Sequence, residues 1–389
     1  MTQKIRRHDL DSLRVLVFAL LIFYHVGMFF VPWGWHIKNN VIYDWLTWPM
    51  LFVNQWRLPI LFVISGMGTR YALSFRSGKT FAWERIKRLF IPLAVGMILI
   101  VPPQVYIERI AKAQFLGSYL DFFPAEIFKG IYPEGNFSWH HLWFLPYLLI
   151  FSLILIPAFL YLRDLPENQF LSFIKRTVQK PWGLLLFIAP LYLAEAFIEP
   201  FFPVTHALVD DWFTFTSSLF LFFSGFVLIS LGDTFWKSVD QIKRKALWMG
   251  ILTFGIMIFY WNIEDSVLVH FTEAFFKVLN IWMWILAILG YGAKYLNKKS
   301  SILRYANQAV YPFYILHQTV TVVLAYYLMN LDWGLGAKFF ILSLGTFGIS
   351  LLLYEFLIRR IPFIGPLFGL KRAQKPVALK SKDLVTSKL

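Results

Sequence analysis

Ten predominantly apolar stretches, most of them close to the length of a bilayer crossing, follow one another along this chain of 389 residues. They fall near 10–31, 46–70, 87–107, 141–162, 182–198, 212–231, 246–262, 268–291, 307–329 and 335–358. A transmembrane helix needs roughly 20 mostly apolar residues. In lipid the backbone must satisfy its own hydrogen bonds, which leaves helices and closed barrels as spanning structures. Only 15% of the residues are charged and 58% are hydrophobic, with a mean hydropathy of +0.59. A soluble domain carries about a quarter charged residues. The expected fold is therefore all-α: a polytopic membrane bundle of about ten transmembrane helices, with no room for a sizeable soluble domain.

Charge alternates between the loops. Most of the 37 Lys and Arg fall before Arg14, in 70–88, 163–180, 237–245 and 294–304, or after 358. The intervening loops are poor in them, and several are acidic, as with Asp210–Asp211 and Glu264–Asp265. Cytoplasmic loops retain Lys and Arg, so both termini are expected on the cytoplasmic side of the cell membrane. The same rule accounts for the net charge of +15 without nucleic acid. The basic, then apolar, N-terminus resembles a signal peptide. Its apolar run instead ends in Pro32-Trp33-Gly34-Trp35, and a retained first helix is expected. A transmembrane domain over 1–370 and a basic, disordered tail over 371–389 complete the outline. The longest outer loop, about 108–140, is expected to lie on the interface through Phe122-Phe123-Pro124 and Ile127-Phe128.

Ionisable residues inside spans are costly and mark sites. Asp11, Arg14 and His25 share the first span. The eleven residues from Arg14 to His25 are three helical turns plus roughly 20°, so both lie on one stripe about 16 Å apart along the axis. From spacing alone, a snorkelling arginine and a packing histidine fit as well as a site. With no cysteine, thiolate chemistry is excluded. The histidines are scattered and no His-Glu-x-x-His spacing occurs, so no metal is expected. Phosphate-binding glycine loops and a Gly-x-Ser-x-Gly elbow are absent too.

Leu10-Asp11-Ser12-Leu13-Arg14, followed after ten residues by His25, resembles the opening pattern of acyltransferase family 3, multi-span enzymes that acylate extracytoplasmic glycans. Arg57-Leu58-Pro59, running on to Ser65-Gly66, resembles the family's second-helix motif in its glucan-modifying subgroup. Arg85-Ile86-Lys87-Arg88, His141-Leu142-Trp143 and Tyr311-Pro312-Phe313-Tyr314-Ile315-Leu316-His317 are similar to further motifs, in the expected order. Val15 and Leu16 depart from the small residue the family often carries after its first-helix arginine.

The resemblance implies O-acylation of a glycan hydroxyl, a periplasmic glucan among the candidates, from cytoplasmic acyl-CoA as co-substrate (acetyl-CoA or succinyl-CoA). His25 is then the general base, since a hydroxyl needs its proton removed as it attacks. Arg14, Arg85, Lys87 and Arg88 map to the inner side, where they suit CoA phosphates. Arg57 is a candidate for contacting the acyl group or stabilising developing charge, with an ion pair to Glu195 as an equal alternative. His317 is either a catalytic partner or a packing histidine. His140, His141 and Trp143 are candidates for acceptor sugar. Ser65 is a candidate hydroxyl, although beside Gly66 it also suits close helix packing. Membrane lipids are the remaining partner. The rival reading is a secondary transporter or flippase of a lipid-linked sugar, which would use the same buried charges as a pathway.

Overall fold

The computed structural model describes residues 7–370 apart from 262 and 265, so the expected tail over 371–389 lies outside the described residues. Ten helical segments correspond to the ten apolar stretches. They are α1 (His8–Met28), α2 (Asp44–Leu73), α3 (Gly78–Ala111), α4 (His140–Ile154 with Ile156–Asp164), α5 (Gly183–Phe197), α6 (Trp212–Ser230), α7 (Asp233–Tyr260), α8 (Val267–Tyr295), α9 (Ser301–Leu328) and α10 (Leu335–Ile358). The described part is an all-α bundle without a named strand. Seven of the helices are long and apolar enough to cross a membrane, or eight if the two halves of α4 form one span.

The difference from ten has local causes. α4 bends by 53° where Pro157 enters its second half, since proline cannot donate to the preceding turn. α5 is short. α7 begins at Asp233 rather than near 246, and its first half carries Lys237, Asp240, Lys243, Arg244 and Lys245. A charged start of that kind reads as loop when apolar length is the only signal.

α2 and α6 meet backbone to backbone. A Cβ on Gly66 would come within 1.9 Å of the Phe222 carbonyl, and one on Gly225 within 2.0 Å of the Val63 carbonyl. Small residues at such crossings let membrane helices touch backbone to backbone. Phe62, Phe151, Phe159, Phe222 and Phe226 fill the space beside this contact, with Phe159 and Phe226 stacked at 3.9 Å. α1 packs on α9, α2 and α8, and α9 on α10. The segment after α3 exposes Leu116, Leu120, Phe128 and Ile131. Phe122 and Ile127 are buried. A capping box of Ser118 and Asp121 starts the turn Tyr119–Phe122, whose rings close on Tyr106 of α3.

Candidate active site

His25, on the last turn of α1, and His317, in the middle of α9, meet ring to ring. Nδ1 of His25 lies 2.7 Å from Nε2 of His317. Nδ1 of His317 lies 2.7 Å from the Tyr314 carbonyl in its own helix. A carbonyl can only accept, so Nδ1 of His317 carries the hydrogen and its Nε2 is the acceptor. That makes Nδ1–H of His25 the donor of the 2.7 Å bond, and Nε2 of His25 keeps its lone pair. The tautomers follow from the hydrogen-bond network rather than from visible hydrogens. His317 is wholly buried while His25 is half-buried. The free Nε2 thus belongs to the more open of the two rings.

A polar network surrounds this pair. Tyr314 donates to the His141 carbonyl at 2.6 Å, and His141 Nε2 donates to the Ile315 carbonyl at 3.0 Å. Gln104 of α3 donates to Thr319 at 2.6 Å and accepts from Gln318 at 3.1 Å. Gln318 reaches His36 Nε2 at 3.0 Å, and His36 donates through Nδ1 to Glu108 at 2.6 Å. Buried polar groups of this kind are hydrogen-bonded when they persist, and here they lock α3, α4 and α9 around the histidine pair. Tyr132, in the loop before α4, donates to Glu108 at 3.1 Å. Burial and that carboxylate push its phenol up to about 12.

Toward the starting end of α1 lies a cavity of about 260 Å³ lined by Arg14, Arg76, Arg85 and Arg88 together with Ser65 and Tyr311. Arg14 is braced by Asp11 at 3.5 Å and by Asn307 at 3.3 Å. Arg85 donates to Thr69 at 2.9 Å. Two widened turns, Ile86–Phe90 and Gly96–Ile100, interrupt the regular helix of α3. Such bulges occur mostly as single turns at functional sites. Arg85 and Arg88, three residues apart, share the face toward the cavity, whereas Lys87 rests 4.9 Å from the Trp83 ring.

A second cavity, of about 270 Å³, lies toward the other end of the bundle between α2, α5, α6 and α8. Arg57 lines it. Its guanidinium sits 3.5 Å over the Tyr24 ring and donates to Asn54 at 2.9 Å, while its Nε has no partner. Pro59 helps shape this wall: with no N–H, it cannot serve the Gln55 carbonyl one turn earlier, and both residues line the cavity. Glu195 pairs with Lys277 of α8 and not with Arg57. Among the described residues no carboxylate pairs with Arg57. Trp143 stacks on His206 at 3.9 Å, and both face the same space. Burial brings His206 down to about 4, against the upward pull of Asp211, so this imidazole is neutral at physiological pH.

Phe62 lines the second cavity and Phe144 the first, and their rings are 4.6 Å apart. An aromatic wall therefore stands between the two spaces. His140, with φ of +40°, packs edge-on against His36 at 4.7 Å and Tyr132 at 4.6 Å, and its Nε2 is unpartnered. His141 lies deeper, 5.2 Å from the His317 ring. Arg76, Asn307, Gln104, Gln318 and Lys277 were not singled out by the sequence. Arg76 reads as ordinary loop charge, and the amides and Lys277 gain meaning only from partners far along the chain.

The bundle thus holds an imidazole with a free lone pair and, elsewhere, an arginine-lined cavity. Residues 7–355 match the acyltransferase domain of acyltransferase family 3, and the chain belongs to that family. It is a multi-pass membrane acyltransferase. Its relatives include glucans biosynthesis protein C of Escherichia coli strain SMS-3-5, 25% identical over 393 residues, and that of strain K12, 24% identical, each aligned over 97% of both chains. No solved structure matches the chain.

Proposed function

We propose that this acyltransferase moves an acetyl or succinyl group from cytoplasmic acyl-CoA to a hydroxyl of an extracytoplasmic glycan. His25 is the general base, and both termini of the chain face the cytoplasm of a cell whose inner membrane it spans. The carrying observation is the free Nε2 of His25, left so because His317 takes the other ring hydrogen.

In this reading the phosphates of the donor rest among Arg14, Arg76, Arg85 and Arg88, where guanidinium groups form charge-assisted bonds. The pantetheine arm then extends along α1 toward His25, a span comparable to its reach. Nε2 of His25 takes the acceptor proton as the hydroxyl oxygen attacks the thioester carbonyl. The C–O bond forms, the C–S bond breaks, and the proton passes from Nε2 to the leaving thiolate to give free CoA. Arg57, a cation without a carboxylate partner, suits the negative charge that develops on the carbonyl oxygen. Glucans as acceptors are suggested by the relatives named glucans biosynthesis protein C.

The test uses proteoliposomes with radiolabelled acetyl-CoA or succinyl-CoA on the side of the basic loops and glucans on the other. Label on glucan supports the reading and identifies the donor. If both donors remain intact while a lipid-linked sugar crosses the bilayer, the reading is wrong and a transport function replaces it.

A further inference from the structure

Four tryptophans from three separate stretches of chain converge on one cleft beside the second cavity. Trp33 comes from the loop after α1, Trp45 and Trp48 from the first turn of α2, and Trp261 from the end of α7. The cleft holds about 590 Å³, and Asp44 and Asn54 place polar side chains on its wall. Trp48 and Trp261 lie 5.6 Å apart, and Trp45, Trp48 and Trp261 are each more than 40% exposed. Interfacial tryptophans usually spread around the rim of a membrane protein. Here they gather into a concave surface within the size range of ligand sites.

We propose that this cleft is the binding subsite for the glycan chain that carries the acceptor hydroxyl. The proposal rests on the glycan acceptor of the preceding reading and gives that acceptor a location. The C–H face of a pyranose is apolar and packs on an aromatic ring, while its hydroxyls need donors and acceptors at the ring's edge. Asp44 and Asn54 supply those at the edge of the indoles. A lipid chain has no use for an exposed carboxylate in its groove.

Continuity with the candidate active site carries the argument furthest. Asn54 lines both the cleft and the second cavity. Its side-chain carbonyl accepts from Arg57 at 2.9 Å and from Tyr24 at 3.2 Å. Tyr24 directly precedes His25, and their rings are 5.9 Å apart. A sugar unit seated against Trp48 is thus one residue removed from the groups that flank the base.

The experiment uses the full chain in nanodiscs and a neutral β-linked gluco-oligosaccharide as probe. Oligosaccharide binding is followed by calorimetry for the wild type, His25→Ala, Trp45→Ala, Trp48→Ala and Trp48→Phe. The KM for oligosaccharide is measured wherever transfer occurs, and acyl-CoA binding serves as the check on folding. The proposal predicts that Trp45→Ala and Trp48→Ala weaken oligosaccharide binding by roughly tenfold, the usual effect of removing an anchoring aromatic. Trp48→Phe recovers part of the loss, and His25→Ala binds oligosaccharide like the wild type. Transfer by the wild type with an unchanged KM in both tryptophan variants overturns the subsite and leaves the acyltransferase reading standing. Trp48-dependent binding without transfer keeps the subsite and removes the glycan acylation. If the tryptophan variants bind oligosaccharide like the wild type and lose only thermal stability in the nanodisc, the cleft is an interfacial belt and the proposal fails.

Discussion

His317 receives a hydrogen bond from His25 at 2.7 Å while giving its own to the Tyr314 carbonyl, also at 2.7 Å. The second bond dictates the first, because a nitrogen that donates to a carbonyl leaves its partner nitrogen to accept. A ring in the middle of α9 thereby sets which nitrogen of a ring on α1 can take a proton. This resembles the outer partners of metal-bound histidines, which fix tautomer and orientation without touching the chemistry.

His317→Ala should lower kcat by on the order of 10²-fold, since the His25 ring loses the partner that fixes its tautomer and orientation. The KM for acyl-CoA should stay near the wild-type value. His317→Gln, whose side-chain carbonyl can accept from His25 Nδ1, should recover part of the rate. Steady-state kinetics on detergent-solubilised variants that bind acyl-CoA normally would decide the matter. Equal losses in both variants would make His317 a packing residue.

The two sides of the basic run in α3 should behave differently. Arg76→Ala and Arg85→Ala should each raise the KM for acyl-CoA by roughly tenfold, through loss of a charge-assisted phosphate contact. Lys87→Ala, whose ammonium rests on Trp83 away from the cavity, should change it by less than about twofold. Donor titrations of the three variants at one ionic strength provide the comparison. A ranking with Lys87 first would contradict the placement of Arg76 and Arg85, and not Lys87, on the cavity wall.

How much of this was legible beforehand differs from residue to residue. Apolar length marked all ten helical segments, and proline and charge account for where α4 and α7 depart from simple spans. The pattern from Leu10 to His25 carried the family and the candidate base. The partnership of His25 with His317 was not legible, because 292 residues separate them and either ring alone fits a packing role. Gln104 and Gln318 had no signal at all, since a neutral amide in an apolar run acquires a meaning only from what it faces. Arg57 was visible as a buried cation and its neighbours were not. Glu195 was its plausible partner by sequence, but α8 brings Lys277 to that carboxylate instead.

Gly66→Ala should destabilise the protein by roughly 1–3 kcal/mol, the usual cost of forcing atoms into a filled interior. The added Cβ would lie 1.9 Å from the Phe222 carbonyl, so α2 and α6 would have to separate. Thermal unfolding in nanodiscs would reveal the loss as a lower melting temperature. An unchanged melting temperature would mean that the two helices are not held in backbone contact.

His206 predicts a pH effect on stability. Burial lowers it from 6.5 to about 4 in the folded chain. Between those values the unfolded chain binds more protons, so stability falls as pH drops through that window. His206→Phe keeps a ring against Trp143 and removes the titration. Its melting temperature should therefore fall less than that of the wild type between pH 7 and pH 5, by the arithmetic of linkage. Parallel losses in both proteins would show that other groups carry the acid sensitivity.

The most direct test of the account is acyl transfer by a folded His25→Ala protein. With wild type and variant reconstituted to the same level, and acyl-CoA binding equal in both, the account predicts that the variant transfers acyl groups to glycan at least about 10²-fold more slowly, the contribution of a positioned general base. Transfer at the wild-type rate would show that another group removes the proton, and that the free nitrogen of His25 serves some other purpose.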